Sequence, residues 1–181
     1  MKILLVGFKP FATHTSNPSE AVLQMLDLPD VAKVVLDVSY AKAKEGILKA
    51  IKEEKPDFIL GLGLSPFRDD PTFEQYAYNV MDSAQPDEDG VKMEKKEVVE
   101  GGTASLIAGF DIAAARQYLS TLGHETSVSI DPGRFVLNEV YYLCLSSGIK
   151  SLFLHLPEEW KVSARESSET VLEIIRYLRE S

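Results

Sequence analysis

One cysteine stands in the whole chain of 181 residues. A lone Cys closes no intrachain disulfide and builds no thiolate metal centre, so a reducing cytoplasm is the expected compartment. No apolar run approaches the ~20 residues of a membrane span. The start, Met1-Lys2 before ILLVGF, is too short for a signal peptide and reads as a first strand. Basic residues are scarce: 19 Lys and Arg against 28 Asp and Glu leave a net charge of −9 and a pI near 4.9. That balance argues against non-specific binding to nucleic acid or to an anionic membrane. His14 and His124 fall in loops, and neither pairs with a second His, Cys or carboxylate at ligand spacing, so no metal and no cofactor is expected.

A further absence lies inside Ser129–Tyr142, SIDPGRFVLNEVYY. The stretch reads as a strand end, a tight turn and the first turns of a helix. Asp131 is placed to cap that helix, Pro132 to take its first position, and Gly133 to let backbone approach something closely. In α/β proteins such a junction displays a nucleophile, because a helix N-terminus lowers a thiol's pKa and offers N–H groups to an oxyanion. The residue displayed here is Leu137, which has no such chemistry. Cys144 lies seven residues on, about 10 Å further along the helix. Between Leu143 and Leu145 it reads as a buried structural thiol. Arg134 reads as a solvated side chain in the first turn of the helix.

Apolar residues make up 45% and charged residues 26%, ordinary values for a globular protein, and 1–181 is read as one domain. Apolar runs and amphipathic stretches alternate. Strands are expected at Lys2–Gly7, Val31–Val38, Asp57–Leu62, Phe73–Asp82, Thr126–Ile130 and Ser151–Leu156. Helices are expected at Asn17–Leu26, Lys42–Glu54, Asp111–Leu122, Gly133–Ser147 and Ser167–Arg179. Val91–Phe110 departs from the pattern and reads as an excursion holding a small hairpin. The alternation predicts a three-layer α/β/α domain with a mainly parallel, twisted sheet. Its ligand site belongs at the strand ends, in the loops after Gly7, Leu62, Ile130 and Leu156.

Those loops carry a resemblance. GFKPF followed by Asn17-Pro18, GLSPFR with Glu74, YNVMDSAQPDEDG, SIDPGRFVLNEVYY and FLHLP resemble, in order, five sequence blocks of pyroglutamyl peptidase I, a cysteine peptidase family. The likeness covers nearly the whole chain, with a shorter segment after Pro157 than the family usually has. It implies the family's α/β fold, and it implies removal of an amino-terminal pyroglutamate by a Cys–His–carboxylate triad. By resemblance Glu74 takes the place of the carboxylate and His155 that of the imidazole. Phe8 and Phe11 correspond to the ring-stacking pair, Asn17 to the loop Asn, and Val136 to the apolar residue before the nucleophile. Leu137 stands where the family has Cys, Ala84 where it has Arg, and Ala12-Thr13 where it has Gly-Gly.

Each of these residues has a plainer reading beside it. Glu74 and His155 fit an inherited buried pair as well as working acid–base chemistry. Phe8 and Phe11 fit strand-end packing as well as a pocket. Trp160 fits a cover over the site, a partner surface or a loop anchor. The resulting expectation is a homologue inactive as a cysteine peptidase, with a pocket for a small molecule or a peptide N-terminus. Two alternatives stand beside it: a hydrolase in which His155 and Glu74 activate water, and a homo-oligomeric interaction scaffold.

Overall fold

Strand β1 (Ile3–Phe8) is buried along its whole length, and its side chains alternate between two hydrophobic clusters. The computed structural model describes all residues, 1–181. After β1 come α1 (Pro18–Met25), β2 (Val31–Leu36), α2 (Tyr40–Glu54) and β3 (Phe58–Leu64). Both helix starts are capped from the side chain. Asn17 accepts the Ser19 N–H ahead of Pro18, and Ser39 accepts the Lys42 N–H.

The middle of the chain corrects the single strand expected over Phe73–Asp82. It splits into β4 (Thr72–Glu74) and β5 (Tyr76–Tyr78), with β6 (Ser105–Ile107) following the excursion. Gln75 is the pivot. Its N–H donates to Ser129 and its carbonyl accepts from Ala108, so it is tied into both sheets. The hairpin expected inside Val91–Phe110 is instead a pairing of β5 with β6 across the excursion, antiparallel. The chain then runs through α3 (Ile112–Thr121), β7 (Ser127–Ser129), α4 (Val136–Ser146), β8 (Lys150–Leu156) and α5 (Ala164–Glu180). Helix α5 starts three residues before the expected Ser167, because Ser163 and Glu166 form a capping box.

The main sheet has the order β2-β1-β3-β8-β4-β7. Strands β2, β1, β3 and β8 are mutually parallel. β4 runs antiparallel to β8, and β7 follows β4. Helices α2 and α4 cover one face around Leu4, Val6, Phe8, Ile59 and Phe153. Helices α1, α3 and α5 cover the other around Ile3, Leu5, Leu60, Leu154 and Leu156. The result is the three-layer, mostly parallel architecture that the alternation predicts. The chain leaves β1 for β2 on one side and returns to β3 on the other, so the loops after β1 and β3 diverge at a topological switch point. No helix is long and apolar enough to cross a membrane.

Candidate functional site

The junction before α4 differs from its sequence reading. The helix begins at Val136, with Phe135 as its N-cap and no side-chain cap, not at Gly133 behind Asp131. Gly133 has φ +80°, which an α-helix cannot contain. Asp131 Oδ1 instead accepts the Gly133 N–H at 3.0 Å and Arg134 Nη1 at 2.7 Å, a local turn in place of a cap. The Arg134 guanidinium lies 3.9 Å from the centre of the Tyr78 ring, so it is held and not free in solvent. The later start places Leu137 in the first turn of α4, the second residue of the helix. The backbone N–H groups of Val136, Leu137 and Asn138 meet no acceptor in the protein.

Leu137 is 5% exposed and packs on β3. A Cβ built on Gly63 would fall 2.1 Å from Leu137 Cδ2, so the leucine fits only because residue 63 has no side chain. Gly63 is in register with His155 of β8. Leu137 thus packs on the strand next to the one that carries His155.

His155 and Glu74 are brought together by the one antiparallel joint beside β8. Thr72 pairs with His155 and Glu74 with Phe153, which makes Glu74 and His155 diagonal neighbours on one sheet face. His155 Nδ1 lies 2.7 Å from Glu74 Oε1, and Glu74 is fully buried. The other ring nitrogen, Nε2, has no partner in the protein and is not sealed from solvent. Arg68 Nη2 reaches the same Glu74 oxygen at 2.9 Å, Ser129 Oγ at 2.8 Å and the Asp131 carbonyl at 3.0 Å. Burial by itself pushes the Glu74 carboxyl up. The hydrogen bond and charge of His155, with Arg68 beside them, outweigh it and hold the carboxyl below its ordinary range. Glu74 is an ionised anchor that fixes the imidazole through Nδ1 and leaves Nε2 for chemistry.

A cavity of about 480 Å³ opens over this group. Its wall includes Phe11, His14, Arg68, Phe135, Leu137 and His155. The loops after β1, β3 and β7 all reach it, as expected, and His155 represents β8. The β7 loop arrives differently from the others, since β7 runs against the parallel strands.

Of the residues matched by resemblance, Phe11, Leu137 and His155 line the cavity, with Glu74 directly behind His155. Three substrate-binding expectations are corrected. Phe8 is fully buried in the core, 6.4 Å from the Phe153 ring, because it points from β1 into the α2–α4 face. Asn17 spends its side chain on the chain itself, accepting from Ser19 and donating to the Lys9 carbonyl. Val136 turns into the same core as Phe8. None of the three is on the cavity wall.

Cys144 is 3% exposed, and burial pushes its thiol up to about 12. Trp160 is 78% exposed and donates to Glu158 at 2.8 Å, in a smaller cleft that shares Thr13, His14 and Leu64 with the main cavity. Arg68, His14 and Gln85 are wall residues that the sequence reading gave no role. Arg68 had one weak signal, a cation in a loop six residues before Glu74. The other two had none.

Comparison with known proteins places these features in one family. The family model for pyroglutamyl peptidase matches residues 1–165. The pyrrolidone-carboxylate peptidase of Pyrococcus furiosus is 32% identical over 168 residues, covering 87% of this chain and 81% of that protein. That of Pseudomonas fluorescens is 34% identical over 165 residues, covering 86% and 78%. Among solved structures, the pyrrolidone carboxyl peptidase of Fervidobacterium islandicum superposes with a TM-score of 0.92 at 28% identity, over 99% of each chain. The P. furiosus peptidase does so with a TM-score of 0.92 at 29% identity, again over 99% of each. A matching family model over most of the chain, relatives above 30% identity and the same fold in solved structures lead to one conclusion: the chain belongs to the pyroglutamyl peptidase family.

Proposed function

We propose that this chain is a pyroglutamyl-peptidase homologue without cysteine-peptidase activity, and that it keeps the cavity as a binding site. One observation carries the reading: Leu137 occupies the first turn of α4, at the position that the sequence resemblance gives to the nucleophile. Its isobutyl group rests on Gly63, on the wall that His155 shares. A hydrocarbon attacks no carbonyl. The single thiol cannot substitute, since Cys144 is buried deeper in α4 and its pKa is raised, and only a thiolate is nucleophilic. Losing a nucleophile removes most of the acceleration of a triad, on the order of 10⁶-fold where it has been measured in a serine protease.

The test is turnover of a pyroglutamyl fluorogenic amide by the wild type and by Leu137→Cys. The wild type is expected to stay at background and the variant to rise at least ~10²-fold above it, since the imidazole and its anchor are in place. Clear wild-type turnover would sink the reading.

The intact Glu74–His155 pair with a free Nε2 favours one second reading, in which the imidazole activates water against an activated ester or amide. Hydrolysis of a p-nitrophenyl ester that disappears in His155→Gln would support it. Equal rates in the two proteins would dismiss it.

A further inference from the structure

We infer that the cavity is a site for a small carboxylate anion with an apolar body, and that the carboxylate sits between the start of α4 and His155. The inference rests on the binding-site reading above and adds the charge of the ligand.

Three sets of donors at or beside the cavity wall have no acceptor. The first is the start of α4, an 11-residue helix whose Val136, Leu137 and Asn138 N–H groups are unpaired and whose N-cap supplies no side-chain oxygen. A helix N-terminus carries roughly half a positive charge. The second is His155, 5% exposed, on the wall, with Nε2 unpartnered. The third is Arg68. It lines the wall, and its three bonds to the protein all leave from Nη2, so Nη1 is unbonded and not sealed from solvent.

Two carboxylates face the site and both are already engaged. Glu74 is bound to His155 and Arg68, and Asp131 to Arg134 and the Gly133 N–H. His14, also on the wall, lies 3.6 Å from Glu158. What remains uncompensated is donor capacity, which an anion satisfies more strongly than a neutral acceptor because its hydrogen bonds are charge-assisted. Phe11, Phe135, Leu64 and Leu137 supply the apolar surface for the ligand's body. Where a peptidase would hold a transition-state oxyanion for an instant, the leucine leaves these donors free to hold a carboxylate in its ground state. Nδ1 is committed to Glu74, so Nε2 meets the anion as a donor only when both ring nitrogens carry protons.

The experiment is calorimetry of the wild-type protein with cyclopentanecarboxylate and with its uncharged isostere, cyclopentanecarboxamide. The carboxylate is expected to bind at least tenfold tighter. His155→Gln should weaken the carboxylate at least tenfold. A soaked wild-type crystal should show the carboxylate within hydrogen-bond reach of Nε2 and the α4 N–H groups, whether or not the variant folds. Equal affinity for the amide, no binding of either compound, or a carboxylate seated elsewhere would overturn the inference. Those outcomes leave the Leu137 reading standing. Wild-type peptidase turnover would do the reverse.

Discussion

At the scale of single residues, Leu137 and Gly63 are one feature. The leucine's terminal methyl occupies the space a Cβ on residue 63 would need, and the Phe153 ring closes that space from the other side at 3.0 Å. Gly63→Ala is therefore an overpacking change, expected to cost about 1–3 kcal/mol. In a Leu137→Ala background the same change should cost distinctly less, because the 2.1 Å clash is gone and only the Phe153 contact remains. Urea unfolding of the four proteins of this double-mutant cycle measures the difference, and strict additivity would show that the two positions do not share the space. Arg68 makes a second prediction. Arg68→Met removes a charged bond to a fully buried carboxylate, together with the Nη2 bonds to the Ser129 hydroxyl and the Asp131 carbonyl. It should destabilise the fold by about 1–3 kcal/mol, read as a lower urea midpoint with unchanged slope.

At the scale of elements, local chemistry decided what the sequence could reveal. β1, β3 and β8 are continuous apolar runs that only a sheet buried on both faces accommodates, so their reading needed no tertiary knowledge. The start of α1 was legible for a similar reason: Asn17-Pro18 carries its cap within the segment. The break between β4 and β5 was not legible. Gln75 is pinned by Ser129 and Ala108, residues more than thirty positions away, and propensity for Tyr and Val runs straight through it. The start of α4 was misread because Asp131-Pro132-Gly133 satisfies the rules of a cap and those of a turn equally, and the left-handed Gly133 settled it. Motif resemblance singled out Glu74, His155 and Leu137, and the structure sets them at or directly behind one cavity wall. Arg68 was missed because a guanidinium that reaches from its own loop to β4, β7 and the loop after β7 leaves no local pattern. Phe8 illustrates the opposite error: on a strand, the face a residue points to is set by register with its neighbours, and Phe8 faces the core. Helix α5 yields a prediction at this scale. Ser163 both caps Glu166 N–H and receives the Glu166 carboxylate, so Ser163→Ala should cost about 1 kcal/mol, seen as a lower midpoint in urea.

At the scale of the whole molecule, stability against pH has an unusual contributor. Glu139 sits in the first turn of α4, 2% exposed, with Oε2 buried and unbonded. Burial pushes its carboxyl up to about 8; Lys44 draws it down and Asp87 adds to the rise. An unfolded Glu titrates near 4.5, so between that value and 8 the folded chain keeps a proton that the unfolded chain has lost. Stability from this group is full below pH 4.5 and falls as pH rises towards 8, by at most ~1.4 kcal/mol per unit. The carboxyls held low in the fold, Glu74, Asp131 and Glu166, work in the opposite sense: they stabilise above the ordinary carboxylate range, and that gain is lost as pH falls through it. Their contribution is complete by about pH 5 to 6, which leaves the upper part of the window to Glu139 among these carboxyls. Glu139→Gln has the same shape and cannot ionise. Its melting temperature relative to the wild type is expected to climb steadily from pH 5 to pH 8 and then level off. A difference that stays flat across that range would mean that Glu139 is ionised in the native protein, with the Lys44 charge and solvent outweighing its burial.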